Sequence, residues 1–259
     1  MRRLMTFALL CGSLALAPAT AHAAGWVVPA HPTWYWQLDG ALNLNQPVDV
    51  YDVDGFDTAA ATVGSLHASG KHVVCYVSAG TFENWRPDAG SFPASVQGKP
   101  VSGWAGERWL DVRQWNVLGP IMSQRVSMCA SKGFDAVEFD NVDGYQNGTG
   151  FPLADGDQLT YNRRLAATAH AAGLRVALKN DVEQVAALEP DFDLAINEEC
   201  AQYDECDAYD AFTSKGKAVL EAEYGGPKAK GCAAANAAGR MAAYFNVALN
   251  GKQFQPCWG

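Results

Sequence analysis

The sequence predicts an α/β chain folded as a single (β/α)8 TIM-type barrel, stapled by disulfides. Three observations carry this. Eight short apolar runs of strand type alternate with helix-periodic segments, broken only by a plain loop between the first two, and that rhythm implies parallel crossovers. No G-x-G-x-x-G or G-x-x-x-x-G-K-[ST] follows any run, which removes the main support for an open doubly wound sheet. Nearly every run ends in a polar or ionisable residue, as expected where the strands of a barrel open onto an active site. The 259 residues suit one domain of this type.

Each element has a local reason. Trp34-Tyr35-Trp36-Gln37-Leu38-Asp39 is aromatic and β-prone, and stops at Gly40. Residues 48–53 form a second strand ending in Asp54-Gly55. Asp57 and Thr58 then open a helix through Ala68, stopped by Gly70. Residues 72–78 make a third strand, and a long loop with Trp85, Trp104 and Trp109 follows; a loop of that length is more often a binding wall than slack. Helical spacing returns over 115–131 and closes at Gly133. The fourth strand lies in Gly133-Phe134-Asp135-Ala136-Val137-Glu138-Phe139-Asp140-Asn141, where an apolar run stops abruptly in acids and an amide. Helices over 157–172, up to 189, 203–214 and 229–238 then alternate with strands over 174–179, 193–197, 218–223 and 242–247.

The start of the chain reads differently. Arg2 and Arg3 precede an apolar run over 4–16, and Ala21-His22-Ala23 fits a cleavage site, so residues 1–23 are expected to be a secretory signal peptide and 24–259 the barrel domain. Cys11 lies behind two leucines, a poor match to a lipid-attachment site. Export implies an oxidising compartment. The six cysteines beyond the leader then favour disulfides over zinc, since no C-x-x-C pair or ligand-spaced histidine group is present. The preferred pairing is Cys200–Cys206 as a local clamp, Cys232–Cys257 as a C-terminal staple and Cys75–Cys129 as the remainder. Loss of the leader shifts the formal charge from −9 to about −11. Such a chain is a poor partner for nucleic acid or anionic membrane, and no second apolar run supports stable membrane insertion. A cationic ligand fits it better. We expect a secreted monomer, periplasmic or extracellular, that needs no cofactor.

The strand ends supply the candidate site: Gln37, Asp54, Tyr76, Ser78, Asp140, Lys179, Asn180, Glu198, Glu199, Glu223 and Tyr224, with Asp143 and Tyr145 just beyond the fourth. Several carboxylates, many tryptophans, no nucleophilic Ser or Cys beside a His and no metal-ligand cluster describe a site for cleaving sugar linkages. Aromatic faces stack on the rings, and two carboxyls act on the glycosidic bond. Strands four and six stand roughly 10 Å apart along the wall, at ~4.8 Å per neighbour. Inward-reaching acids from the two can therefore flank one bond.

The runs Trp36-Gln37-Leu38, Cys75-Tyr76-Val77-Ser78-Ala79-Gly80, Trp85-Arg86-Pro87-Asp88, Trp109-Leu110-Asp111-Val112-Arg113, Phe139-Asp140-Asn141-Val142-Asp143-Gly144-Tyr145, Lys179-Asn180, Asn197-Glu198-Glu199-Cys200 and Glu223-Tyr224 occur in order along nearly the whole chain. Together they resemble the endo-α-1,4-polygalactosaminidases, glycoside hydrolase family 114. The resemblance implies a TIM-type barrel that hydrolyses internal linkages of α-1,4-linked galactosamine polymers of biofilm-matrix type. It carries the two catalytic acids onto Asp140 and Glu198, with Asp140 as nucleophile, Glu198 as general acid/base and retention of configuration. Asp54, Asp143 and Glu223 then become partners for substrate ammonium groups, and Tyr76, Tyr145, Trp85 and Trp109 candidate sugar platforms. Period-two alternation in the sixth strand turns Leu194 and Ile196 outward and so favours Glu199 over Glu198; the motif is followed here, with Glu199 kept in reserve. A barrel that binds amino sugar without cleaving it, and a hydrolase of another α-linked glycan, are the alternatives.

Overall fold

The computed structural model describes residues 25–258; the leader read over 1–23, with its cleavage site and Cys11, lies outside them. Among the described residues, eight parallel strands follow one another in chain order around a barrel. They are β1 (Trp34–Gln37), β2 (Val50–Asp54), β3 (His72–Ser78), β7 (Ala136–Asp140), β8 (Arg175–Lys179), β9 (Leu194–Glu198), β10 (Val219–Glu223) and β11 (Met241–Phe245). All eight are short and buried almost throughout, as strands covered on both faces must be. Helices α1 (Ala60–Ala68), α2 (Trp115–Lys132), α3 (Asp155–Ala171), α4 (Val185–Leu188), α5 (Cys200–Tyr203), α6 (Asp210–Thr213) and α7 (Lys228–Ala237) cover the outside. The fold is the expected (β/α)8 type.

Its closure differs from the expectation. The free edge of β11 pairs with a short antiparallel strand, β12 (Phe254–Pro256), and not with β1. The seam to β1 is bridged by other means: Leu38 and Asp39 N–H donate to the Leu249 carbonyl at 2.9 and 3.2 Å, and Trp34 Nε1 donates to the Met241 carbonyl at 2.7 Å. Phe254 meets Tyr35 edge-on at 5.0 Å. The Cys232–Cys257 disulfide ties α7 to the segment carrying β12, which holds that strand on an edge that would otherwise stay open. The other two disulfides also pair as expected, Cys75–Cys129 joining β3 to α2 and Cys200–Cys206 clamping the loop after β9.

Two further departures are local. The long loop after β3 contains an antiparallel sheet of β4 (Thr81–Glu83), β6 (Glu107–Leu110) and β5 (Gln97–Pro100), whose strands are too short and polar to show a period of two. The helix expected over 203–214 is broken into α5, a 3-10 turn at Cys206–Tyr209 and α6, because Asp204 takes a left-handed φ of 60° inside the Cys200–Cys206 clamp.

The alternation argument for β9 is corrected by its register. Leu194 and Ile196 lie beside Ala177 and Lys179, and the Lys179 side chain reaches into the barrel, so Leu194, Ile196 and Glu198 face inward. Asn197 faces the helices, donating to the Tyr209 hydroxyl at 2.9 Å and accepting from the Cys200 N–H. Large apolar residues fill a barrel's interior as well as its outer wall, so they cannot mark the outward face. Alternation thus turns Glu198, and not Glu199, toward the barrel interior.

Candidate active site

Three neighbouring strands end the same way. Asp140, Lys179 and Glu198 are the last residues of β7, β8 and β9, and each is followed by a residue in the left-handed region: Asn141 (φ 61°), Asn180 (φ 46°) and Glu199 (φ 62°). The kink swings the chain off the barrel and leaves the preceding side chain over the mouth. Asparagine tolerates this conformation through its short polar side chain; glutamate pays a steric penalty for it. Gly80 makes room for the first kink, since a Cβ there would stand 1.5 Å from the Asn141 carbonyl oxygen.

Lys179 is the centre of the resulting cluster. Its ammonium lies 2.7 Å from Glu138 Oε1, 3.1 Å from Asp140 Oδ1 and 3.2 Å from Glu198 Oε2, and 4.4 Å from the centre of the Trp36 ring. Three N–H groups thus meet three carboxylates. Burial opposes its charge, but Asp140, Glu138 and Glu198 outweigh that and hold Lys179 protonated well beyond the usual lysine range. Burial likewise opposes ionisation of Asp140. The Lys179 ammonium and the Tyr76 hydroxyl, donating at 2.7 Å, more than offset it and keep the Asp140 carboxyl below its ordinary value. Glu198 accepts from Asn180 Nδ2 at 3.2 Å and from the Tyr224 hydroxyl. The side chains of Asp140 and Glu198 are 18% and 28% exposed against 1% for Lys179 and 0% for Glu138, so only the first two can meet a substrate.

Asp140, Lys179 and Glu198 floor a cleft of about 250 Å³ walled by Trp104, Glu107, Trp109, Asp143 and Tyr224. It shares Asp143, Asn180 and Glu198 with an adjoining trough of about 390 Å³, whose further walls include Asp181, Glu183, Tyr203 and Glu205. Among the described residues, Lys179 is the one cation lining either. Burial and the Asp140 charge push Asp143 up to about 6; burial and Glu83 push Glu107 up to about 7.

The residues singled out from the sequence divide accordingly. Tyr76, Asp140, Asp143, Lys179, Asn180, Glu198 and Tyr224 meet at the cleft. Gln37 is consumed by its own loop, bonding the Tyr35 hydroxyl, the Asn43 N–H and the carbonyls of Asp39 and Ala41. Asp54 accepts from the N–H groups of Phe56 and Asp57 and pairs with Arg86 at 2.7 Å. Ser78 is buried under the turn, against Thr81 and Asn141. Glu223 faces a separate cavity beside the Cys200–Cys206 disulfide and accepts the Ala201 N–H. Tyr145, Trp85 and Glu199 stand off the cleft. Glu107 and Trp104, which were not among the candidate site residues, lie in the tryptophan-rich loop that the sequence marks as a binding wall, and both reach the cleft.

The model of glycoside-hydrolase family GH114 matches residues 15–257, nearly the whole chain. The chain belongs to this family. Among solved structures, the GH114 barrel described here is similar to Aspergillus fumigatus Ega3 in complex with galactosamine, with 34% identity and a TM-score of 0.84 over 92% of this chain and all of that one. It also shares its fold with the glycoside hydrolase domain of Pseudomonas aeruginosa PelA, at 17% identity and a TM-score of 0.66 over 85% of this chain and 96% of that one. No curated protein sequence matches the chain. As a GH114 member the protein is a glycoside hydrolase, and no helix among its described residues is long and apolar enough to cross a membrane.

Proposed function

We propose that this protein is an exported, monomeric endo-hydrolase of α-1,4-linked galactosamine polymer, acting with retention through Asp140 as nucleophile and Glu198 as general acid/base. The observation that carries the reading is the single ammonium in contact with both carboxylates. The two Lys179 contacts, at 3.1 and 3.2 Å, hold one oxygen of each acid close enough for the pair to flank one glycosidic bond. The galactosamine bound in the structure of Ega3 supports the substrate class. So does a groove in which Lys179 is, among the described residues, the one cation beside several acidic and aromatic side chains, suited to sugars bearing ammonium groups.

The charges follow the chemistry. Glu198 gives its proton to the glycosidic oxygen as the Asp140 carboxylate attacks the anomeric carbon, so that Asp140 becomes a neutral glycosyl ester and Glu198 a carboxylate. Water, deprotonated by Glu198, then cleaves the ester and restores both acids. One unit of negative charge moves from Asp140 to Glu198 and back, and Lys179, 3.1 and 3.2 Å from the two, compensates either location without moving.

The test is product release from deacetylated and fully acetylated polymer, read by mass spectrometry, for the wild type, Asp140→Asn and Glu198→Gln. Oligosaccharides are expected from the deacetylated polymer only, and turnover falling by at least ~100-fold in each variant. Unchanged release from both variants removes the assigned site. Preferential release from the acetylated polymer removes the assigned substrate.

A further inference from the structure

Beneath the reacting pair the barrel holds two more acids that the mechanism above does not use. Asp52 of β2 and Glu138 of β7 are both fully buried, point into the barrel from the two strands that flank β3, and interact with each other through their side chains. Asp52 stands beside Trp36 in register, and Lys179 covers the Trp36 ring. Glu138 Oε1 accepts from Lys179. The other three carboxyl oxygens, both of Asp52 and Oε2 of Glu138, meet no N–H or O–H donor. Two neighbouring ionised carboxylates sealed from water repel each other and lack hydration. A proton on one of them supplies the missing donor. Lys179 decides which: its ammonium contacts Glu138 directly, which leaves Glu138 the anion and Asp52 the acid. Burial and then the Glu138 charge push the Asp52 carboxyl well above its ordinary range, whereas in Glu138 the effect of burial is opposed by Lys179.

We infer that Asp52 and Glu138 are positioning residues for glycoside hydrolysis: protonated Asp52 donates to Glu138, and anionic Glu138 fixes the Lys179 ammonium between Asp140 and Glu198. The inference rests on the reading of Asp140 and Glu198 as the reacting acids. Of the three carboxylates around Lys179, Glu138 is the one whose charge stays constant through the cycle. The ionisable groups acting on the pair are Asp140 on the strand of Glu138, Lys179 on the next and Tyr76 between the two acids' strands; Glu198 and Tyr224 act on Lys179 from across the mouth.

The inference is tested by pH profiles of kcat on the deacetylated polymer. Glu138→Gln removes the anion, so the uncompensated Lys179 charge stabilises the ionised forms of Asp140 and Glu198. Both limbs of the profile move to lower pH by about one unit. With Lys179 no longer held in place, kcat falls by up to ~100-fold, with KM little changed. Asp52→Leu removes the donor, and the profile follows that of Glu138→Gln. Asp52→Asn, whose amide donates as the protonated acid does, rescues both the rate and the limbs. Limbs unmoved in Glu138→Gln, or moved as far in Asp52→Asn as in Asp52→Leu, overturn the inference.

Should Glu138→Gln and Asp52→Leu fail to fold, the infrared difference between wild type and Asp52→Asn decides. At about pH 9 a protonated-carboxyl carbonyl band is expected in the wild type and not in the variant. Absence of that band from the difference spectrum overturns the inference. Activity in Asp140→Asn would remove the catalytic reading instead, and leave the band in place.

Discussion

The two ends of the barrel use the same residue type in opposite ways. At the amino-terminal end, Asp135 and Asp193 precede β7 and β9 and are fully engaged. Asp135 accepts from the Val73 N–H and lies 2.8 Å from His67 and 3.2 Å from His72. Asp193 accepts from the Val176 N–H and meets His170 at 2.8 Å and Arg175 at 3.1 Å. At the carboxyl-terminal end, Glu138, Asp140 and Glu198 share one lysine, with Asp143 and Glu107 close by and no cation of their own. Several donors around one acid mark a staple; surplus acid around one cation marks a place held under electrostatic tension for a purpose. The ratio of donors to acids separates the two ends, where residue type alone does not.

The strongest way to break that contrast is to remove the shared cation. Lys179→Met leaves Glu138 and Asp140 facing each other without compensation, and loss of one partner of a buried charge cluster costs about 3–5 kcal/mol. Turnover is expected to fall with stability, and kcat together with urea midpoints measures both. Asp135→Asn at the opposite end should cost only about 1 kcal/mol, since His67 and His72 stand partly in solvent. It should leave kcat unchanged. Equal loss of turnover in the two variants would erase the distinction between the ends.

The contrast also explains how much the chain gave away in advance. The barrel was legible because β3, β7 and β8 are β-branched or apolar runs that end in polar residues, and because Asp140, Lys179 and Glu198 stand at those ends. Asp52 and Glu138 were not, because an acid in mid-strand reads as a break in the core until its partners across the barrel are known. Gln37, Asp54 and Glu223 also sit at or next to strand ends, yet their carboxyl or amide groups are taken by local backbone, which depends on loop paths that no spacing rule reports. Glu107 and Trp104 reach the cleft through the small β4–β6–β5 sheet, whose three- and four-residue strands leave no periodic trace.

A pH series sharpens the contrast with a smaller effect. Asp143 is raised to about 6 and Glu107 to about 7, from ordinary values of 3.8 and 4.5. A carboxyl raised in the folded state holds a proton there that the unfolded chain has already released. Its contribution to stability is therefore full at low pH and is lost as pH rises through the folded value. The same ionisation adds negative charge to the cleft and draws in a cationic polymer. Between about pH 5 and pH 8, stability to urea and KM for deacetylated polymer should thus fall together, and Glu107→Gln should flatten both trends. A KM that rises over this range contradicts the assignment of these acids to substrate attraction.

The smallest effect separates Glu199 from its neighbour Glu198. Both are glutamates at the end of β9, but Glu199 takes the left-handed turn with a φ of 62° and carries its carboxyl away from the cleft. For an L-residue with a Cβ that conformation costs roughly 1–2 kcal/mol, which glycine does not incur. Part of the relief is lost again to the greater freedom of glycine in the unfolded chain. Glu199→Gly is therefore expected to stabilise the protein by about 1 kcal/mol or less and to keep its turnover, because the kink that aims Glu198 at the cleft is retained. Glu199→Val, β-branched at the same φ, should destabilise it and lower turnover as the kink relaxes. Chemical denaturation and kcat on the three proteins check this. A Glu199→Gly variant that folds normally and has lost its turnover would make Glu199 a reacting acid and reverse the assignment at the end of this strand.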